Sequence, residues 1–459
     1  MNRKERSLIT IILAIIASYL FYKQDAGVNK LVFTVISAVV LIFLNKEKGT
    51  RYLIISILPS LLCSIFIMWY PQLLTRLIWL LSYLIMWSTM LPTNYPIVTF
   101  IQGIVSIVES PFGIFKKANL NKNPLKDTED NKQGIIYIVS GIIALVFLLL
   151  YINSNPVFSD LFSKIDLSFI EIGFIFTTIG LYLLLYGLVR LNAYQNIHKL
   201  NSIKALIDKT ELSNRDKLEY KIARLSIWII GILLFIANIT DLVVIFTGKL
   251  PEGITYSEYV HQGFNTLIFT LSLAIGLIIY FFRGQINYHK DLKLIKSASL
   301  FWILQNLLLA LITAYKNFLY VEVYGLTYKR IAVFLGLLCV IIGFILSLKK
   351  LQRPYTNWLY FNKLTLYAFV SILLISFFPV DRLITKYNLS YSETIDIDYI
   401  LNLSKPDLEL VDKYIQDHST THSEYILVVH SKILNLSDKA SNTDWQGWNF
   451  YISKYKKAQ

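Results

Sequence analysis

The segment YVEVYGLTYKR, residues 320–330, combines residue types and a spacing that could bind an anion. Gly325 permits a positive backbone φ, and Thr327 is placed to cap the helix that follows. Lys329 and Arg330 then lie in the first turn of that helix, where the helix dipole opposes cations. Unpaired backbone N–H groups beside two cations favour a lipid phosphate, a substrate or a carboxylate. The alternative is a cationic anchor at the outer lipid headgroups.

Asp241 lies near the end of the apolar run FIANITDLVVIF. A charged group inside a membrane is costly, and a short aspartate cannot reach the interface as an arginine does. We therefore expect Asp241 to have a partner or water. Arg76, Glu171 and Glu109 also interrupt apolar segments. Snorkelling accounts for Arg76 and a helix N-terminus for Glu171, whereas Glu109 could face protein or headgroups.

The sequence holds no motif typical of an enzyme or a metal site. It lacks a phosphate-binding glycine loop, a nucleophile elbow and a HExxH pair. His418 and His422 have helical ligand spacing, but the Ser and Thr residues between them indicate a solvated turn. Cys63 and Cys339 lie within apolar runs, as small buried side chains do. We expect no catalytic residue, no metal and no cofactor.

The composition excludes a water-soluble globule. Hydrophobic residues make up 55% of the chain and charged residues 16%, with a mean hydropathy of +0.53, whereas soluble domains carry about 25% charged residues. Because about 20 apolar residues cross a bilayer, we expect an all-α, polytopic helical membrane protein with about 11 transmembrane helices. Polar breaks delimit the corresponding apolar runs at residues 7–22, 28–44, 52–69, 71–90, 134–152, 169–189, 225–247, 266–282, 298–315, 331–348 and 364–380.

Lysine and arginine are distributed unevenly between the two sets of loops. With the amino terminus inside, the inner segments carry 27 of these residues and the outer loops carry 7. Cationic residues in short loops resist translocation, so the asymmetry predicts a multi-pass protein of the bacterial cytoplasmic membrane with its N-terminus inside and its C-terminus outside. The net charge of +14 belongs to this asymmetry and does not indicate nucleic acid. The expected partner is the lipid bilayer.

Three regions are predicted along the chain. Residues 1–133 form an N-terminal membrane region, 134–380 the membrane core, and 381–459 a small helical extracytoplasmic tail domain. The tail has 11 acidic and 9 basic residues, and its stretch LSKPDLELVDKYIQD begins with helix-start residues. Residues 95–115 fit a re-entrant or interfacial helix, because counting them as a crossing would place the next basic loop outside. The inner loop 191–210 is either a helix on the inner leaflet or a solvated connector.

A family resemblance rests on several segments. LYVEVYGLTYKR resembles the Y-x-x-x-YGLT-x-x-R signature of the bacterial multi-pass proteins known as domains of unknown function numbered four-one-five-three and four-one-seven-three. SNPVFSDLF, TYSEYVHQGFNTL and the tail pieces ITKYNL, DIDYILNLS and DWQGWNFYISKY agree with the same family, in its order, over residues 154–453. The matching residues are Asn155, Pro156, Phe158, Tyr256, Tyr259, Gly263, Phe264, Tyr320, Tyr324, Gly325, Leu326, Thr327, Arg330, Tyr387, Asn388, Asp398, Tyr399, Trp445 and Asn449.

The resemblance implies a polytopic membrane core with an extracytoplasmic helical tail and brings no established activity. This chain departs from the pattern at Asn155, where an aspartate is usual, and at His261, where an arginine is common. By the charge distribution, the resembling segments all lie on the outer face. We therefore predict one ligand site beneath the tail, with packing contacts that fasten the tail as the alternative. The ligand-binding candidates are Asp241, Tyr259, His261, Tyr324, Thr327 and Arg330.

Three functions fit these features. A transporter or lipid-handling protein for an anionic lipid or small molecule ranks slightly ahead, because eleven spans is a large core for an anchor; it predicts a continuous polar cavity. A sensory or scaffolding protein with a protein partner on its tail predicts a solid core and an exposed apolar patch. The missing internal repeat argues against transport. A transferase acting on lipid-linked substrates would need a paired acid and base, for which Asp241 with His261 or Glu258 is eligible.

Overall fold

A computed structural model describes residues 3–44, 50–88, 101, 104–105, 172–189, 205–248, 264–289, 291–418 and 422–456 of the protein. Within these ranges the chain is helical and has no β-strand beyond one isolated bridge between Leu206 and Tyr355. The first part contains α1 (Arg3–Phe21), α2 (Val28–Leu44), α3 (Thr50–Trp69), α4 (Leu73–Ser88), α5 (Ile172–Val189), α6 (Asn214–Thr247), α7 (Phe264–Phe281), α8 (Leu292–Tyr324), α9 (Tyr328–Gln352) and α10 (Asn357–Ser376). The tail contains α11 (Val380–Tyr391), α12 (Ile397–Leu401), α13 (Leu408–Asp417), α14 (Ile426–Asn442) and α15 (Phe450–Ser453).

Four of these helices, α6, α8, α9 and α10, are long and apolar enough to cross a membrane. Shorter apolar helices cover Val28–Leu44, Ser56–Trp69, Leu73–Ser88, Gly173–Val189 and Leu267–Phe281. The all-helical class is therefore confirmed, while the count of eleven spans stays a prediction. Each apolar run of the sequence coincides with one of the described helices except 134–152, which lies outside the described residues.

The described helices extend beyond the apolar runs where capping residues set their ends. A capping box of Ser213 and Asp216 starts α6 well before its apolar part. Thr356 caps α10, so the helix begins at Asn357 and not near residue 364. α8 also extends beyond its apolar run: it continues past residue 315, where the run ends, and stops at Tyr324, before Gly325. Lys316 consequently belongs to this helix and not to an outer loop.

Two apolar cores hold the long helices together. One lies among α1 to α5, where Trp87 and Met86 are fully buried, and the other among α6 to α10, around Phe282 and Phe344. Polar contacts are built into the first core: the Trp79 indole N–H donates to Thr34 Oγ1 at 2.9 Å. Such hydrogen bonds satisfy polar groups that lipid or an apolar core would leave unpaired.

The turns between the helices gather at two opposite ends, and the tail packs at one of them. Asn29 N donates to Gln446 O of the tail at 2.8 Å, and the Tyr70 hydroxyl donates to Lys405 O. At the other end, Ile207 N donates to Pro354 O at 2.9 Å. Segments that the charge distribution assigns to one face thus meet at one end. Which end faces the cytoplasm stays a prediction.

The tail is helical, as the sequence predicts, and its core is shared with α3. Ile400, Val411 and Val429 are fully buried in one cluster with Phe66 and Tyr70. The helix of the stretch LSKPDLELVDKYIQD begins only at Leu408, so the proline precedes it and does not occupy its first turn. The region boundaries stay predictions. Residues 95–115, apart from 101, 104 and 105, and residues 191–204 lie outside the described residues.

Candidate functional site

The turn between α8 and α9 has the backbone geometry that its sequence predicts. α8 ends at Tyr324, and Gly325 follows with φ +78°. A side chain at Gly325 would also collide with the tail, because an added Cβ would lie 2.8 Å from Asn388 Oδ1. Thr327 caps α9, its hydroxyl accepting from Arg330 N at 3.4 Å. Glycine is therefore required here for both its conformation and its size.

Arg330 is bound to the end of the preceding helix. Its Nη1 donates to Tyr324 O at 2.7 Å and to Gly325 O. The guanidinium lies over the ring of Tyr320, 4.3 Å from its centroid. The C-terminal carbonyls of a helix carry the negative end of its dipole. A cation that the dipole of α9 opposes is thus stabilised by α8, which removes the electrostatic conflict that the sequence presents.

Backbone N–H groups in the first turn of α9 are also satisfied by the protein. Tyr328 N donates to the Tyr399 hydroxyl of the tail at 3.0 Å, and Ile331 N donates to Thr327 O at 3.0 Å. With the Thr327 hydroxyl on Arg330 N, three of these groups have partners. The start of a helix whose N–H groups are paired in this way does not need an external anion for its own stability.

A set of contacts that we call the latch fastens the tail to this turn; it consists of Leu326, Tyr328, Asp381, Asn388 and Tyr399. Asn388 accepts from Leu326 N at 2.5 Å and donates to Leu326 O at 3.0 Å. The Tyr328 hydroxyl donates to one oxygen of Asp381, and a backbone N–H of the tail donates to the other. The latch brings residues of the YGLT segment and of the tail into direct contact.

Asp381 is a residue of this candidate site that the sequence pattern does not identify. Its side chain is fully buried, and burial raises the pKa of its carboxyl above the ordinary value although hydrogen bonds from Tyr328 and from Lys405 N oppose the shift. One feature of the sequence could have indicated Asp381: it lies in the first turn of α11, where the helix dipole favours an acidic residue. Nothing in the local sequence pairs it with Tyr328, which is 53 residues away.

Asp241 has the partner that its position requires. Lys316 Nζ of α8 lies 2.7 Å from Asp241 Oδ1, and the two side chains are 9% and 21% exposed, respectively. The next residue, Asn317, donates to Arg330 O at 3.1 Å. Consecutive residues of α8 therefore connect Asp241 on α6 with Arg330 on α9. The apolar run 298–315 ends one residue before Lys316, so the hydropathy pattern does not identify this lysine as a partner.

The structure places four of the six ligand-binding candidates around the last turns of α8. Tyr324, Thr327 and Arg330 lie together at the turn, and Asp241 joins them through Lys316. Tyr259 and His261 lie outside the described residues, as does Glu258. Whether all six converge on one ligand stays a prediction.

Two cavities stand out in the described part of the chain. One of about 110 Å³ separates the end of α3 from the tail, where Arg382 and Lys454 lie 2.8 and 3.7 Å from the Asp407 carboxylate. The other, of about 290 Å³, lies between α6 and α8. Neither forms a polar path across the described helices. The same residues hold no group of three or more His, Cys, Asp and Glu that could bind a metal ion.

Comparison with known proteins identifies a family. The model of a domain of unknown function, DUF4153, matches residues 8–414. The matched range begins within α1 and ends within α13 of the tail, so it contains the latch and the helices that it fastens. No curated protein and no solved structure matches the chain. The family model covers most of the 459 residues, and the chain therefore belongs to the DUF4153 family.

Proposed function

We propose that this membrane protein has a sensory or scaffolding role, in which the tail, residues 381–459, binds a protein partner at the outer face of a bacterial cytoplasmic membrane. One observation carries the proposal: the tail hydrogen-bonds to each of the three helix turns that the structure describes at its end of the bundle. A tail held at so many points moves with the helices. A partner bound to it can therefore be positioned by the membrane core or can act on that core.

At the α1–α2 turn, backbone N–H groups at the start of α2 donate to carbonyl oxygens of the tail. Val28 N donates to Trp448 O at 3.0 Å, and Lys439 Nζ lies 2.7 Å from Asp25 Oδ2. Gly27 allows this approach, because a Cβ there would lie only 2.1 Å from Trp448 O. This second attachment point is independent of the latch, since it involves a different helix pair and the far end of the tail.

At the α3–α4 turn, the Tyr70 hydroxyl donates to Lys405 O of the tail, and Gln72 connects α4 with the end of α10 and the start of α11. Its Nε2 donates to Phe378 O at 2.7 Å, and its Oε1 accepts from Val380 N at 2.9 Å. The neighbouring Thr75 donates to Ser376 O at 2.8 Å. A displacement of α11 is thus transmitted directly to two helices of the core.

The partner surface that we propose is the outward face of α14. Leu427 is 80% exposed, and Val428 and Leu434 are exposed beside it, one and seven residues along the same helix. The opposite face of α14 buries Val429 and Ala440 against the tail core. Exposed leucine and valine residues on one helix face are typical of a protein contact. The proposed topology, with eleven spans, the N-terminus inside and the C-terminus outside, makes this face extracytoplasmic.

Site-specific photocrosslinking in intact membranes tests this proposal. A photoreactive amino acid at Leu427 or Leu434 should give the same discrete crosslinked protein, because both positions face the partner. Lys413, exposed on α13 of the same tail, is the control position and should give none. The same crosslinks from all three positions, or none from Leu427 and Leu434, would contradict the proposed surface.

A second candidate, a transporter or lipid-handling protein with an outer-face anion site, is favoured by one feature of Arg330. Within the described residues only its Nη1 donates hydrogen bonds, which leaves Nε and Nη2 for a phosphate or carboxylate. The adjacent Tyr324 is 40% exposed. Neither of the two cavities described above forms the polar path that transport requires, so we place lipid handling before transport.

Thermal stabilisation by short-chain phospholipids tests this second candidate. Dihexanoyl phosphatidylglycerol should stabilise the purified protein more than the phosphatidylcholine analogue, and Arg330→Gln should abolish the difference. Arg330→Lys, which keeps the charge, provides a second variant. The matched control is Lys329→Gln, because it removes the neighbouring exposed cation. Equal loss in the Arg330 and Lys329 variants would indicate nonspecific attraction and would contradict a site at Arg330.

A further inference from the structure

We propose that the groove between α6 and α8 binds a membrane-soluble alcohol, a molecule with a hydrocarbon body and a hydroxyl group. The groove has a volume of about 290 Å³, close to the lower limit for small-molecule sites. It lies within the apolar parts of two helices that are long enough to span a membrane. This site is separate from the tail and does not depend on the function proposed above.

The walls of the groove are almost entirely apolar. They are formed by Phe235, Ile239 and Leu242 of α6 and by Phe301, Leu304 and Leu308 of α8. The rings of Phe235 and Phe301 lie 6.1 Å apart at one side, inclined by 44°. Such a surface accommodates a hydrocarbon chain and excludes charged ligands, whose desolvation nothing in it compensates.

Two buried amides interrupt this apolar lining. Asn238 is 2% exposed and Gln305 6% exposed. Asn238 Nδ2 donates to Gln305 O at 3.1 Å, which holds the two helices together beneath the groove. Asn238 Oδ1, Gln305 Nε2 and Gln305 Oε1, however, have no hydrogen-bond partner within the described residues. Buried polar groups are normally paired, so three unpaired atoms on two residues that line one groove indicate a missing partner.

The chemistry of the three atoms defines the ligand. The two oxygens accept and the amide nitrogen donates, so a partner must both donate and accept. A hydroxyl group accepts from Gln305 Nε2 and donates to one of the two oxygens, and it keeps no charge in the membrane. The acyl chains of ordinary phospholipids fit the walls but offer nothing to the amides. A long-chain or polycyclic alcohol fits the walls and pairs with two of the three amide atoms.

Photolabelling of the full-length protein in lipid nanodiscs tests the proposal. The probe is a 1-dodecanol analogue with a diazirine in its chain, and the comparison probe is its methyl ether, which cannot donate. The alcohol should label α6 and α8 peptides up to about tenfold more than the ether, because both oxygens can accept but only the hydroxyl can donate, so the two probes differ by one hydrogen bond. Unlabelled 1-dodecanol should compete with this labelling.

Gln305→Met is the decisive variant, because the side-chain amide atoms of Gln305 bond to no described residue and methionine keeps the length of the side chain. It should lower the alcohol-to-ether ratio, because Asn238 Oδ1 is then the one unpaired amide atom left of the three, and it should raise the thermal stability of the ligand-free protein. The matched control is Asn306→Leu. Asn306 is equally buried and adjacent, but its Nδ2 donates to Trp302 O of its own helix at 2.8 Å. This control should keep the ratio.

Three outcomes would overturn the proposal. The first is equal labelling by alcohol and ether in the unaltered protein, and the second is an unchanged ratio in a folded Gln305→Met variant. The third is a groove occupied by a second copy of the chain. In that case Ile239→Cys would form disulfide-linked dimers in the membrane, and the alcohol would fail to label α6 and α8.

Discussion

Asn388 of the tail and Leu326 of the α8–α9 turn exchange two hydrogen bonds, one to each polar backbone group of Leu326. Both residues are buried, and they are 62 positions apart in the chain. An asparagine side chain has the same donor and acceptor groups as a peptide unit. The Asn388 side chain therefore pairs with the N–H and C=O of Leu326 as the backbone of a neighbouring strand would. Because both groups are paired, this turn can be buried beneath the tail without regular secondary structure.

Replacing Asn388 should release the tail from the core. Asn388→Leu leaves the N–H and C=O of Leu326 buried without partners, at a cost of roughly 1–3 kcal/mol for each group. We expect a lower melting temperature and faster proteolysis after residue 391, where α11 ends. Asn435→Leu, an exposed position on α14, is the control and should change neither. Unaltered proteolysis of the Asn388 variant would contradict the role of the latch.

Two glycines with positive φ differ in both backbone conformation and surroundings. Gly248, with φ +63° and ψ 4°, is left-handed and has open space around it, whereas Gly325, with φ +78° and ψ 173°, is enclosed by Asn388 and Ser392. Gly248→Ala should cost about 1 kcal/mol from its left-handed backbone alone. Gly325→Ala should cost more, since its backbone conformation is essentially restricted to glycine and the new methyl group must also displace Asn388. Equal changes in the melting temperature of the two variants would contradict this expectation.

Local sequence rules account for much of the turn and of the helix positions. The positive φ of Gly325 and the cap at Thr327 follow from residue type and from the apolar run beyond them. Helix positions follow from runs of apolar residues, because an apolar span must satisfy its backbone internally. The cap at Thr356 also follows from residue type. It lies ahead of the apolar part of α10, so the hydropathy pattern alone does not show where this helix begins.

The contacts of the site could not be derived in the same way, because they join residues distant in sequence. Lys316 lies just beyond an apolar run, as a loop residue would, but α8 continues to Tyr324 and includes it. The anion site at Arg330 stays a prediction, whereas the binding of its Nη1 by the carbonyls of Tyr324 and Gly325 follows from how α8 ends. Asp381 pairs with Tyr328 only because α11 folds back onto α9. Electrostatic rules identify a charge that needs a partner, but the packing of helices decides which partner it has.

The Asp241–Lys316 ion pair should contribute to the packing of α6 against α8. Asp241→Asn should destabilise the protein more than Lys316→Met, because it leaves the more deeply buried charge, Lys316, without its carboxylate. A double-mutant cycle should give a coupling energy of roughly 1–3 kcal/mol. The control cycle uses Asp25 and Lys439, an exposed pair at the same 2.7 Å distance, where roughly 0.2–1 kcal/mol is expected. Similar coupling energies in both cycles would show that burial does not strengthen the Asp241–Lys316 pair.

Lys405 should make the stability of the tail rise with pH in the alkaline range. Burial, and secondarily the positive charge of Lys439, lowers the pKa of Lys405 from 10.5 to about 8. Between these two values the unfolded chain holds a proton that the folded tail has released, so raising the pH favours the folded state. The gain begins near pH 8 and is complete near pH 10.5. The melting temperature should therefore increase between about pH 8 and 9.5.

Tyrosine ionisation sets the upper pH limit of this increase in stability. Burial raises the pKa of the Tyr451 phenol, which packs beside Lys405. Above about pH 10 unfolded phenols lose their protons while the folded one keeps its own, so stability falls again. Lys405→Met should reduce the rise and leave the fall, and Lys413→Met, at an exposed lysine of the same tail, should change neither. A rise as large in Lys405→Met as in the unaltered protein would contradict a contribution of Lys405 to the pH dependence.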